Sequence, residues 1–459
     1  MENYRRNSTW REFQKISRAR KKRKQKAVRY TKLSVLIFLL LAGGYLAKDW
    51  IALTPDKNRQ TPHPEQTEKQ QTAKLTKTEL KPLISAEPFF KEAKNNFVVN
   101  HNGKTYNIST SLNVELQQFL LRKLDRLKTL TRGKPQRIAL TALEPDTGRI
   151  RAMAGFDLSN PDSNPCLASD YPAASLFKIV TAAAAVQEKG FTPKTPLYYN
   201  GGKYTLYKRQ LKKIRNRYTR KVYFEDAFAD SINPVFGKIA KNSLGCGLLD
   251  RYSGQFGFNK SIDCELEVKP SSLVIVKETP YQWAEVGCGF NKTTTVSPLF
   301  AAMMAGSVIH SGKMYLPMIV ESVIDVDDNT VYKGKPALFR NPVKPETSAV
   351  LVRLMQETID SGTARKSFRG YSRDSVLSGL KLGGKTGSLY NRDHTVKYDW
   401  FTGFAQDKKN GEKLAVSVIV GHRKYIGTRA SRYARMIFKE FFETHSVSET
   451  KKEKLQSSG

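Results

Sequence analysis

Tyr171-Pro-Ala-Ala-Ser-Leu-Phe-Lys-Ile-Val-Thr-Ala-Ala-Ala-Ala-Val186 is the stretch that decides the fold of this chain. Its apolar, alanine-rich composition predicts a buried helix that starts just after Pro172, and Gly190 favours a stop. Ser175 and Lys178 are three residues apart, so they fall on one face of that helix. A serine hydroxyl is a weak nucleophile until a base accepts its proton, and a lysine with a depressed pKa can be that base. The stretch therefore predicts a serine nucleophile with a lysine base.

The S-x-x-K pattern alone is weak, because it occurs again at Ser378–Lys381 and at Ser448–Lys451. Most such pairs are a solvated serine and a solvated lysine. The copy at Ser175 differs because its neighbours are apolar, so its lysine is not expected to be solvated. The assignment then depends on partners elsewhere in the chain.

Two further polar patterns follow. Ser231-Ile-Asn233-Pro separates two helical pieces, since proline interrupts a helix. A serine and an asparagine on such a turn can relay a proton and bind an amide, although an ordinary helix cap uses the same residues. Lys385-Thr-Gly387 overlaps a match to the P-loop pattern, Gly379 to Thr386. The residues after it do not begin a convincing helix, so we reject a nucleotide site.

The N-terminal residues combine strong positive charge with an apolar segment. The net charge of +35 indicates an anionic environment, which could be nucleic acid, a membrane surface or an acidic polymer. Residues 33–47 are uncharged and almost wholly apolar, which favours the membrane. The positive-inside rule predicts a cytoplasmic basic arm at 1–32 and a transmembrane anchor at 33–53. A buried core helix and a cleavable signal peptide are the alternatives.

The rest of the chain divides by composition. We expect a polar linker at 54–82, a short lead-in region at 83–134, a large domain at 135–445 and a disordered tail at 446–459. Within the domain the basic segment Lys203–Lys221 is either a solvated face or a patch that faces an anionic polymer or a membrane.

The four cysteines give no metal or redox motif. Cys166, Cys246, Cys264 and Cys288 form no C-x-x-C pair, so a zinc site is unsupported. Disulfides with three alternative complete pairings remain open, as do four free thiols. The six histidines are scattered, and we expect neither a metal site nor a cofactor.

Together, S-x-x-K at Ser175, S-x-N at Ser231 and K-T-G at Lys385 resemble the penicilloyl serine transferases, which include penicillin-binding proteins and serine β-lactamases. From about Leu83 to Phe442 the chain resembles the transpeptidase domain of penicillin-binding proteins. The resemblance implies an α+β fold with an antiparallel β-sheet flanked by helices, as in β-lactamases and transpeptidases. The apolar segment adds one N-terminal transmembrane helix to this expected fold.

The resemblance also implies roles for the motif residues. Ser175 would attack the carbonyl of a D-Ala-D-Ala bond, and Lys178 would accept its proton. Ser231 and Asn233 would shuttle protons and hold the substrate amide. Lys385 and Thr386 would bind the terminal carboxylate of the substrate. Gly387 would let the substrate lie close to its strand, and the backbone amides of Ser175 and Ser388 would form the oxyanion hole.

The implied function is a peptidoglycan D,D-transpeptidase that crosslinks stem peptides through a serine acyl-enzyme and binds β-lactams. A D,D-carboxypeptidase, a serine β-lactamase and a non-catalytic sensor of β-lactams or muropeptides are the alternatives. The apolar segment and the positive-inside rule predict a single-pass protein of the bacterial cytoplasmic membrane, with its catalytic domain on the periplasmic or extracytoplasmic side. The linker is too short to hold a glycosyltransferase module, so we expect a separate glycan polymerase as partner. Because the apolar segment favours a membrane, we expect no nucleic acid as partner.

Overall fold

The computed structural model describes residues 74–85 and 89–456, which contain both helices and strands. Its helices are α1 (Lys77–Ser85), α2 (Val114–Lys128), α3 (Lys178–Lys189), α4 (Phe224–Ala229), α5 (Asn233–Lys238), α6 (Gly245–Phe256), α7 (Pro280–Cys288), α8 (Pro298–Ile309), α9 (Pro345–Asp360), α10 (Arg365–Phe368) and α11 (Ala430–Gln456). Its strands are β1 (Asn96–His101), β2 (Lys104–Thr110), β3 (Arg137–Leu143), β4 (Ile150–Asp157), β5 (Tyr171–Pro172), β6 (Pro196–Tyr199), β7 (Arg220–Tyr223), β8 (Thr295–Val296), β9 (Met314–Tyr315), β10 (Val320–Ile324), β11 (Thr330–Lys333), β12 (Leu338–Arg340), β13 (Leu380–Tyr390), β14 (Lys397–Asp407) and β15 (Lys413–His422).

A five-stranded antiparallel sheet, in the order β13-β14-β15-β3-β4, separates two hydrophobic cores. Alternate residues of β3 belong to different cores: Ala139 packs on one face, and Ile138 and Leu140 pack on the other. This division follows from the two-residue repeat of a strand. Because helices cover both faces, the inner strands are almost continuously apolar. The expected fold class, an antiparallel sheet flanked by helices, is confirmed in this respect.

Helix α8 fills the space beneath the sheet. All of its residues are buried, and it contacts three neighbouring strands, β14, β15 and β3. The Ser297 hydroxyl accepts a hydrogen bond from the Phe300 amide at 3.1 Å, which caps the helix start. Strand β13 lies at an edge of the sheet, so it pairs with β14 alone.

The lead-in region pairs with strands that come much later in the chain. Strand β2 pairs with β10, so the second sheet runs β1-β2-β10-β11. Helix α1 already begins at Lys77 and buries Leu80, Leu83 and Ile84. The expected polar linker to residue 82 is therefore too long. Its last residues form a helix because the apolar side chains recur at helical spacing among polar ones.

The C-terminal helix is longer than the sequence pattern predicted. Helix α11 begins at Ala430 and continues to Gln456, whereas we expected a disordered tail from Ser446. The chain between these bounds contains neither glycine nor proline, and its last turns are rich in glutamate and lysine. Such residues favour helix, and their polarity alone does not end one.

The predicted cytoplasmic arm at 1–32, the anchor at 33–53 and most of the linker lie outside the described residues. Among the helices of 74–85 and 89–456, none is long and apolar enough to cross a membrane. All four cysteines lie within those ranges and are free thiols, so none of the three alternative disulfide pairings is formed there. Burial raises the pKa of the Cys166 thiol to about 11.

Candidate active site

Ser175 lies in a single 3₁₀ turn, Ala174–Phe177, which continues directly into helix α3. The predicted helix therefore begins with a tighter turn than expected. Ala174 has a φ of +47°, a conformation that costs free energy for a residue with a side chain. Two contacts hold the chain just before this turn. The Ala173 amide donates to the Thr294 carbonyl at 2.8 Å, and the Trp400 indole donates to the Pro172 carbonyl at 2.9 Å.

Lys178 is fully buried and points at the serine. Its Nζ lies 2.7 Å from Ser175 Oγ, 2.8 Å from Asn233 Oδ1 and 2.5 Å from the Cys288 carbonyl oxygen. All three contacts are to neutral oxygens, which do not compensate fully for the loss of water around a charge. Burial therefore lowers the pKa of Lys178 to about 8. A lysine with this pKa can accept the serine proton near neutral pH.

The Ser231–Asn233 turn presents two polar side chains to the same space. Ser231 has a φ of +58°, and its amide donates to the Phe228 carbonyl at 3.1 Å, which closes helix α4. Asn233 opens helix α5, and its Nδ2 donates to the Tyr204 carbonyl at 2.9 Å. That bond fixes the amide so that Oδ1 faces Lys178.

Lys385 approaches this turn from strand β13. Its side chain is fully buried, and Nζ donates to Ser231 Oγ and to the Thr386 carbonyl, both at 3.0 Å. Burial, together with the neighbouring charge of Lys178, lowers the pKa of Lys385 well below its ordinary value. An incoming carboxylate would offset both effects, because it adds a negative charge beside Lys385.

The rest of the K-T-G strand borders the nucleophile turn. A Cβ added to Gly387 would lie 3.3 Å from the Ser175 amide nitrogen, so the strand and the turn are in close contact. The Thr386 hydroxyl lies 2.6 Å from the Thr363 hydroxyl. Ser388 is exposed, and its hydroxyl donates to the Tyr398 carbonyl at 3.3 Å, away from the other site side chains. The structure thus brings the three motifs together, with the Ser388 side chain directed elsewhere.

Sequence reasoning missed three contributors to the site. The Cys288 carbonyl contacts Lys178, and Gly289 packs directly behind the nucleophile turn. The Thr363 amide and hydroxyl both donate to the Ala229 carbonyl at 3.1 Å. A backbone carbonyl is present in every residue, so the sequence does not mark Cys288. Gly289 and Thr363 belong to no motif that distinguishes them from other glycines and threonines.

The chain is similar to several known proteins. The sequence profile described as the penicillin binding protein transpeptidase domain matches residues 138–443. Stage V sporulation protein D of Bacillus subtilis is 25% identical over 291 residues, which are 60% of this chain and 43% of the relative. The peptidoglycan D,D-transpeptidase PbpA of Mycolicibacterium smegmatis is 26% identical over 372 residues, or 73% of this chain and 71% of the relative. The chain therefore spans less than half the length of the Bacillus relative.

Solved structures show the same fold. The D,D-transpeptidase domain of a peptidoglycan glycosyltransferase from Eggerthella lenta superposes with a TM-score of 0.60 at 20% identity, over 79% of this chain and 87% of that one. The imipenem acyl-enzyme of penicillin-binding protein A from Mycobacterium tuberculosis gives 0.58 at 22% identity, over 72% and 79%. The profile match covers most of the chain and includes all three motifs, so this protein belongs to the penicillin-binding protein transpeptidase domain family.

Proposed function

We propose that this protein is a peptidoglycan D,D-transpeptidase that works through an acyl-enzyme on Ser175. One observation carries the proposal: the fully buried Lys178 Nζ lies 2.7 Å from Ser175 Oγ. That arrangement is what a serine needs in order to be deprotonated without histidine. The Mycolicibacterium smegmatis relative, which is named as a peptidoglycan D,D-transpeptidase, supports the same chemistry.

In the first step Ser175 Oγ forms a bond to the carbonyl carbon of the D-Ala-D-Ala peptide bond, while its proton passes to Lys178. The C–N bond then breaks, and the departing D-alanine amine takes the proton that Lys178 accepted. Ser231 is placed to relay that proton, since its hydroxyl contacts Lys385 and its turn also carries Asn233. In the second step an amine of a neighbouring stem peptide forms a C–N bond to the ester carbonyl carbon, the C–O bond to Ser175 breaks, and the proton lost by the amine returns to Ser175 Oγ.

Substrate binding would mainly use residues of strand β13. Lys385 and the Thr386 hydroxyl would hold the terminal carboxylate, and Asn233 would hold the substrate amide. The backbone amides of Ser175 and Ser388 would stabilise the oxyanion, a role that does not require the Ser388 hydroxyl. Gly387 keeps strand β13 close enough to the nucleophile turn for one substrate to reach both.

The N-terminal sequence supports an anchored enzyme. Residues 33–53 would form a single transmembrane helix, with residues 1–32 in the cytoplasm and the described domain outside it. A separate glycan polymerase would supply the strands that this enzyme crosslinks. The anchor is tested by extraction of membranes with alkaline carbonate: the full chain should stay in the pellet, and its release would contradict a spanning helix.

The acceptor decides between transpeptidase and carboxypeptidase. Incubation of the full chain with a donor peptide that ends in D-Ala-D-Ala and with a D-amino acid amine should give the exchanged peptide as the main product. If the main product is instead the hydrolysed peptide, which has lost its terminal D-alanine, the enzyme is a carboxypeptidase. Benzylpenicillin bound to the same preparation should remain attached for hours, whereas release within minutes would identify a β-lactamase.

The rate of acylation should depend on pH through Lys178. Its pKa is about 8, so only about one tenth of the enzyme carries the neutral base at pH 7. Since the neutral lysine is the reactive form, the second-order rate constant with benzylpenicillin should rise about tenfold from pH 6 to pH 7 and level off above pH 8. Stopped-flow acylation between pH 6 and 9 measures this, with the melting temperature followed in parallel. A flat profile in a folded enzyme would contradict the assigned base.

Thr363 is expected to position the Thr386 hydroxyl. Thr363→Val removes the 2.6 Å hydroxyl contact with little change in shape, so the peptide concentration at half-maximal rate should rise about three- to tenfold. Thr363→Ser keeps the hydroxyl and should retain most of the affinity. If the valine and serine variants bind the donor peptide equally well, the hydroxyl has no such role.

A further inference from the structure

We propose that the basic hairpin, defined here as residues 194–223, binds the surface of a membrane that carries anionic phospholipids. The hairpin contains strands β6 and β7 and the long connection between them. The inference rests on the proposed membrane anchor, which would hold the domain within reach of a bilayer. No part of the proposed acylation chemistry uses the side chains of this connection.

The charged residues of the hairpin are all positive. It contains ten lysines and arginines and no aspartate or glutamate. Lys194 pairs with Glu225, and Lys203 pairs with Asp230 at 2.5 Å. The other eight cations pair with no carboxylate in the part of the chain that the structure describes: Lys208, Arg209, Lys212, Lys213, Arg215, Arg217, Arg220 and Lys221. Such a surface attracts an anionic partner, and each cation near an anionic bilayer adds to the binding.

Exposed aromatic and aliphatic side chains are interleaved with these cations. Tyr207 is 54% exposed, Ile214 is 50% exposed and Tyr218 is 65% exposed. The Arg215 guanidinium lies 3.9 Å from the centre of the Tyr198 ring. Tyrosines beside lysine and arginine are typical of surfaces that enter the headgroup layer of a bilayer. A fully hydrophilic polyanion would require the cations but not the exposed isoleucine, so these observations favour a membrane.

A cavity of about 290 Å³ lies at the base of the hairpin. Its residues include Lys213, Ile214 and Arg215 from the hairpin and Val235, Lys238 and Ile239 from the helical core; no acidic residue lines it. The cationic and apolar groups match a phosphate headgroup with its attached glycerol ester. Lys238 donates only to the Tyr198 carbonyl among its described contacts, at 3.1 Å, and burial lowers its pKa. A phosphate would supply the missing counter-charge.

The hairpin is fixed to the domain rather than free to move. The Asn233 amide donates to the Lys203 carbonyl at 2.7 Å, and the Asn233 side chain donates to the Tyr204 carbonyl at 2.9 Å. Strands β6 and β7 pair in register from Pro196–Tyr223 to Tyr199–Arg220. A preorganised surface loses little conformational entropy on binding, which favours association with a bilayer.

Hydrogen exchange of the full-length protein in lipid nanodiscs tests the inference. One set of discs contains about 30% phosphatidylglycerol, which makes the surface anionic, and the other contains only phosphatidylcholine. The amides of residues 204–219 should exchange at least about threefold more slowly in the anionic discs. The variant K212Q/K213Q/R215Q/R217Q should lose this protection. The control K260Q/K333Q/K335Q/K409Q removes the same charge from exposed lysines elsewhere and should keep it.

Three results would overturn the inference. These are equal exchange in the two kinds of disc, equal protection in the hairpin variant, and protection by soluble polyphosphate in neutral discs without protection by anionic discs. The last would identify a polyanion as the partner. A full chain that does not remain with the discs would contradict the anchor and this inference together. Penicillin labelling of the same samples reports separately on Ser175, so failure of the proposed catalysis is distinguishable from failure of membrane contact.

Discussion

Lys178→Met is expected to lower the rate of Ser175 acylation by benzylpenicillin about 1,000-fold, because general-base catalysis typically contributes two to four orders of magnitude. Methionine is close to lysine in length and suits the apolar surroundings, so the fold should survive. The change removes the group that contacts Ser175 and Asn233. Stopped-flow acylation, or gel labelling with a fluorescent penicillin at several times, gives the rate.

Lys189→Met is the matched control for this change. Lys189 ends the same helix and is exposed, so its loss should leave acylation within about twofold of the wild type. If Lys178→Met is acylated at more than about a tenth of the wild-type rate in a folded protein, another group must be the base. The pH profile of the residual reaction should also lose the rise that ends near pH 8.

Gly289→Ala is expected to lower acylation at least about 100-fold, because it displaces the backbone that positions the nucleophile and its oxyanion donor. Gly289 has a φ of +71°, and an added Cβ would lie 1.8 Å from the Ala174 carbonyl oxygen and 3.0 Å from the Ser175 amide nitrogen. Neither atom belongs to a flexible side chain. The nucleophile turn must therefore move, and the melting temperature should fall as well.

Gly190→Ala separates this clash from the cost of the left-handed conformation. Gly190 also has a positive φ, +63°, and ends helix α3, but no atom lies within 4 Å of its added Cβ. Both variants should lose about 1 to 2 kcal/mol of stability from backbone strain. Only Gly289→Ala should lose acylation. Equal acylation rates in the two variants would contradict the role given to the contact behind Ala174.

Much of the site could be predicted from the sequence because its reactive groups are side chains in short, ordered motifs. Ser175 and Lys178 are near neighbours, so local helical geometry alone places them together. Lys385 lies far away in the chain, and only the joint occurrence of three motifs connected it with Ser231. The sheet was predictable for a related reason: its strands are long, apolar and bounded by turns.

Other parts of the site depend on tertiary packing that no local pattern encodes. The Cys288 carbonyl contributes through its backbone, and Gly289 through the absence of a side chain. The 3₁₀ turn at Ser175 follows from the strained Ala174 conformation, which packing against Gly289 and strand β13 imposes. The ends of the domain were misplaced because polar composition was treated as a signal of disorder, although α1 is an amphipathic helix and the polar residues after Ser446 continue α11.

The central claim, that Ser175 is the acylated nucleophile, is tested most directly by mass spectrometry of the intact protein after incubation with benzylpenicillin. The account predicts a stable gain equal to one penicillin molecule, which peptide mapping places on Ser175 and which is absent from a folded Ser175→Ala variant. An adduct on another residue, or no adduct on folded wild-type protein, would contradict it.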